Sequence, residues 1–160
     1  MSKNTSKFNA LYEKFDQYIF VVENDKQTGL DIVFDMNSFE PYKYKNNYGD
    51  IVEYLMYIYV NCQKKAESYE KKQITIQVHV ENCTMKNFSI RLFKYLMNFF
   101  GKYMDAEGDD FFDYIYIHSK SGFFSMIYNM IKLQLTPSLK QRMVLITTDN
   151  NNKQSSMPYS

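Results

Sequence analysis

Apolar positions along this chain switch period several times, and each switch marks an element. Residues 18–22 (Tyr-Ile-Phe-Val-Val) form a compact β-branched and aromatic run, and residues 30–34 (Leu-Asp-Ile-Val-Phe) form another. The turn-forming cluster at 24–29 joins them, so the pair predicts an antiparallel hairpin. Ile51, Val52, Leu55, Ile58, Tyr59 and Cys62 then recur on one face of a 3.6-residue period and predict a helix. Residues 74–80 alternate strictly and predict a strand. Met85, Phe88, Leu92, Leu96 and Phe99 mark the next helix, with Gly101 as its expected stop. A strand at 114–118 follows the acidic loop at 105–110, and Phe124, Ile127, Ile131 and Leu135 mark a further helix. Pro137 opens one short helical turn before the last strand at 143–146.

Phe8, Leu11, Tyr12 and Phe15 add a short N-terminal helix within residues 1–15. Residues 16–147 read as the domain and 148–160 as a polar, disordered tail. The order ββαβαβαβ predicts an α/β fold: a mixed, mostly parallel five-stranded sheet with right-handed crossover helices.

Composition narrows the chemistry. At 160 residues and a formal charge of +1, the chain suits one domain without the basic surface that nucleic-acid binding requires. The interleaved charges at 64–72 suit a solvated helix end. No apolar stretch is long enough to span a membrane, and the polar, lysine-bearing start lacks the core of a secretory signal. Cys62 and Cys83 read as reduced thiols, and the protein as a cytoplasmic one. The glycines at 29, 49, 101, 108 and 122 are too scattered for a phosphate loop. Two His and two Cys in separate elements predict no zinc site, Cys83 has no nucleophile signature, and the carboxylates at 105–110 read as hydrated. Neither enzyme nor cofactor chemistry is expected.

The strands carry the functional signal. Ile74, Ile76, Val78 and Val80 point one way; Thr75, Gln77, His79 and Glu81 point the other. Likewise Ile115 and Ile117 oppose Tyr114, Tyr116 and His118. If the two strands are neighbours in phase, one sheet face is dry and packs helices, while the other is polar and aromatic. Parallel sheets are ordinarily covered on both faces. The polar face therefore reads either as plainly solvated or as a floor awaiting a ligand, lined by Thr75, Gln77, His79, Tyr114, Tyr116 and His118. Phe124, Tyr128 and Ile131 are candidate walls, although at helical spacing they also read as core. The histidines read as structural residues able to respond to pH.

Residues 114–132, followed by Leu135-Thr-Pro-Ser-Leu-Lys-Gln-Arg-Met-Val144, resemble the CRAL-TRIO lipid-binding domain: a strand ending near His118, an aromatic helix, a Pro-containing turn and a basic residue before the last strand. Residues 25–33 and 74–84 resemble its first turn and central strand, so the likeness runs from about 16 to 147. It is to a divergent, short form without the N-terminal helical region and the gate helix. The resemblance implies a non-enzymatic domain that binds or transfers a lipid or other amphiphile on its sheet floor, with peripheral membrane contact. Alternatively it implies an interaction module that meets a small GTPase, a second copy or a larger assembly.

Overall fold

The computed structural model describes residues 3–24, 26–107, 112–120, 122–147 and 154–156. Six strands form one sheet in sequential order: β1 Ile19–Glu23, β2 Leu30–Asp35, β3 Ile74–His79, β4 Phe112–Ser119, β5 Met143–Thr147 and β6 Gln154–Ser156. The two outer pairings are antiparallel and the three between them parallel, so the mixed, mostly parallel α/β sheet is as expected. The sixth strand is the addition. It lies within the stretch read as an unpacked tail and pairs Ser156 with Val144 and Gln154 with Ile146; the rest of 148–160 lies outside the described residues.

Five helices intervene: α1 Lys3–Phe15, α2 Tyr48–Ala66, α3 Ile90–Glu107, α4 Phe123–Ile131 and α5 Pro137–Arg142. A right-handed crossover at every parallel step in one direction places α2, α3 and α4 on the same side of the sheet. α1 packs beside α2 on that side, with Phe8 against Tyr57 at 5.0 Å and Lys7 bridging Glu53 at 2.8 Å. Two layers result, with helices over one face and none among the described residues over the other. No described helix is long and apolar enough to cross a membrane.

Local chemistry sets the joints. Asn24 Oδ1 accepts the Thr28 N–H at 3.0 Å and closes the β1–β2 turn. Thr136 caps α5, its hydroxyl accepting the Leu139 N–H at 3.2 Å. α3 runs past Gly101 to Glu107. A lone glycine costs a helix only about 1 kcal/mol, and no proline follows to stop it. In β4 the register slips: Ile74 faces Phe112 while Ile76 faces Ile115, leaving Asp113 and Tyr114 together opposite Thr75. This bulge keeps Phe112 and Ile115 both on the helix side. Asp113 is held from the other face by Lys71 at 2.5 Å, which also donates to Thr75.

Two cores form under the helices. One joins α1 and α2 to β1–β3 around Phe15, Tyr54 and Ile74; the other joins α4 to β4 and β5 around Ile117, Phe124 and Tyr128. Val78 and Ile115 pack against both.

Candidate functional site

A cavity of about 270 Å³ opens where the two cores meet, under Val78 and Ile115. Its floor is the apolar sheet face: Phe34, Ile76, Val78, Ile115, Ile117 and Met143. Leu92, Phe93, Leu96 and Met97 of α3 form one wall, and Phe123, Phe124, Ile127 and Ile131 of α4 another. The segment from Met36 to Pro41 closes an end. Buried Asn87 pins that segment, donating to the Phe39 carbonyl at 2.8 Å and accepting the Thr84 N–H at 2.9 Å.

Polar groups on the lining are few and largely engaged. Ser89 Oγ accepts the Leu92 N–H at 3.2 Å and meets the Tyr48 hydroxyl at 3.2 Å. The Cys83 thiol donates to the Met36 carbonyl, and burial, reinforced by the Glu81 and Asp35 carboxylates, pushes it up to about 12. Burial thus favours the protonated thiol over the nucleophilic thiolate. Among the described residues Arg142 is the lining residue that carries charge; its guanidinium donates to the Phe112 carbonyl with one of five N–H groups.

The residues expected to form a floor lie on the opposite face. Gln77 and Tyr116 stand side by side on adjacent strands, as do His79 and His118, so the phase between β3 and β4 is as read from the sequence. No described helix covers that face: Tyr114 is 47% exposed on it, Gln77, His79, Tyr116 and His118 are half-buried, and Thr75 is buried. The enclosed space, however, is on the helix side, so Thr75, Gln77, His79, Tyr114, Tyr116 and His118 do not line it. The physical reason is that polar side chains on a sheet face without helices meet water at their tips, whereas an apolar cavity needs helices above it. Of the helix residues singled out, Phe124 and Ile131 line the cavity; Tyr128 is buried in the core behind it, 6.0 Å from the Phe124 ring. Arg142 and the α3 wall went unread as site residues, although the helical stripe at 92, 96 and 99 and the basic residue before the last strand were both visible.

The uncovered face gathers the two histidines. Their rings stack with centroids 4.2 Å apart and planes 7° from parallel. His79 Nδ1 meets Glu81 Oε1 at 2.7 Å, and His118 Nε2 meets Gln77 Oε1 at 2.7 Å. Burial and the neighbouring His79 ring hold His118 below the ordinary histidine range, against the pull of Glu81. Burial works to raise Glu81, but hydrogen bonds from His79 and Asn37 outweigh it and leave the carboxyl lower than usual. The two histidines, whose separate elements predicted no zinc site, here stand with Glu81, and the three offer ligand atoms within 4.8 Å of one another.

No curated protein matches the chain. Among solved structures, the crystal structure of Sfh5 superposes with a TM-score of 0.65 at 11% identity, over 89% of this chain and 54% of that one. At that identity the likeness is one of fold, and the chain spans about half the length of the protein it matches. The model of the CRAL/TRIO domain matches residues 14–157, nearly the whole sheet and its helices, and the chain belongs to that family.

Proposed function

We propose that this chain binds a lipid or other amphiphile with its apolar part in the cavity between the sheet and helices α3 and α4, and its polar end toward Arg142. The family is generally one of lipid-binding and lipid-transfer domains without enzymatic activity. One observation carries the reading: a space of about 270 Å³, open to solvent on one side, is lined almost wholly by apolar side chains. Apolar cavities of even about 150 Å³ stay dry and take up hydrocarbon, because water inside them finds no partners. Each buried CH₂ adds roughly 0.8 kcal/mol to binding. The volume sits near the lower end of small-molecule pockets, which run from roughly 300 Å³ upward. It suits a single chain, with more room only if α3 and α4 part.

Native mass spectrometry of freshly purified protein, followed by uptake of a fluorescent fatty acid from vesicles, tests this reading. A bound mass released by organic solvent and saturable uptake are expected. Val78→Phe, which fills the floor, should abolish uptake, while Tyr116→Ala on the far face should leave it unchanged. The reverse pattern places the ligand on the polar face. A chain with neither bound mass nor uptake binds no amphiphile.

A further inference from the structure

The His79–His118 pair lies at the ends of two adjacent parallel strands, on the face that the cavity does not use. Ligand sites in open α/β sheets favour the carboxyl ends of strands. The hydrogen bonds around the pair fix the role of each atom. Gln77 Nε2 donates to Asp31 at 3.2 Å, which turns the Gln77 carbonyl oxygen toward His118. His118 must therefore carry its proton on Nε2, and its lone pair falls on Nδ1. Asn37 Oδ1 accepts the Asn82 N–H at 2.8 Å, so Asn37 Nδ2 is the end that donates to Glu81 Oε2 at 3.1 Å. The other Glu81 oxygen accepts from His79 Nδ1.

Two imidazoles and a carboxylate thus stand together, each offering one ligand atom within 4.8 Å of the other two. Two of the three are oriented by a further hydrogen bond: His118 by Gln77 and Glu81 by Asn37. Outer partners of this kind are the usual support of metal-binding side chains. Asp35 stands in register beside His79 on β2 and adds negative charge to the row. We propose that His79, His118 and Glu81 form a binding site for one divalent transition-metal ion of the zinc, cobalt or nickel kind.

Imidazole suits these ions better than it suits calcium or magnesium. Bonds of roughly 2.0–2.2 Å in a tetrahedral shell separate ligand atoms by about 3.3 Å, so the three must draw together by up to about 1.5 Å. The metal takes the place of the proton between His79 Nδ1 and Glu81, and that proton moves through water to His79 Nε2. Because an ion lies in the plane of each ring it binds, the stacked rings turn out of parallel. The torsion that does this is soft, and the side chains are half-buried on a face no described helix covers. Water fills the remaining coordination positions.

The test is titration of the full chain, without added histidines, by Zn²⁺ in competition with a chromophoric chelator, and by Co²⁺ read through visible absorption. One ion per chain is expected. Glu81→Gln should weaken binding about tenfold or more, and Gln77→Leu, which keeps every ligand but removes the orienting acceptor, about tenfold. His79→Asn with His118→Asn should abolish it, and Cys83→Ser should retain it. Far-UV circular dichroism accompanies each variant; where the double substitution does not fold, Glu81→Gln decides. Absence of stoichiometric binding by the folded chain overturns the proposal. So does binding that survives loss of both histidines or of Glu81, or that disappears in Cys83→Ser.

Discussion

Arg142 sets the polarity of the cavity. Its guanidinium is the cation on a lining that is otherwise nearly hydrocarbon, and a hydrogen bond to a charged partner is worth about 1.5–3 kcal/mol. Arg142→Met keeps much of the stem and removes the charge. It should weaken binding of a fatty acid by about ten- to a hundredfold and that of the matching fatty alcohol by less than about threefold. Competition between the two measures this; equal losses show that Arg142 only packs. Cys62 offers a second check at this scale. It is 1% exposed in α2, and burial pushes its thiol up to about 12. Iodoacetamide should therefore modify Cys62 only after unfolding, as read by peptide mass; rapid labelling of the native chain contradicts its burial. Reduced, unpaired cysteines were legible from their number and spacing, and both are free. The meeting of His79 with His118 was legible only as shared phase, because ring orientation depends on Gln77 and Glu81, which no periodicity reveals.

Elements show where local pattern was sufficient. The alternation at 74–80 and the apolar runs at 18–22, 30–34 and 143–146 placed their strands to within a residue or two. β4 begins earlier than its alternation suggested, because the bulge at Asp113 and Tyr114 breaks the period of two. β6 has almost no apolar content and is held by backbone pairing to β5, which leaves no side-chain signal to read. Gly122 is a joint that pattern marked only as one scattered glycine. It enters α4 with φ +90°, a conformation that L side chains rarely adopt. A Cβ added there meets nothing within 4 Å, so any cost of a side chain comes from the backbone alone. Gly122→Ala should destabilise the fold by about 1–3 kcal/mol, seen as a lower denaturant midpoint with unchanged slope. A neutral result means that the corner relaxes to negative φ.

At the scale of the molecule, the two-layer arrangement follows from the strand order, and so does the bare polar face. The side that holds a cavity does not. Periodicity tells which side chains share a face, but whether helices and sheet interlock depends on volumes, and here two separate cores meet imperfectly at Val78 and Ile115. The misfit has an energetic consequence. A closed apolar void costs about 24 cal/mol per Å³; this space is partly open to solvent, so its cost is a fraction of what a sealed void of that volume would carry. An occupant recovers much of that cost and raises stability by mass action. Solvent-stripped protein should therefore melt well below amphiphile-loaded protein. With about 2–4 °C per kcal/mol in chains of this size, the gap should be about 5 °C or more. Val78→Phe should raise the melting point of the stripped chain and close most of the gap, since the added ring occupies the space the ligand would take. Equal melting points for stripped and loaded wild-type chains mean that the helices collapse onto the sheet when alone, and that the cavity is made by its occupant.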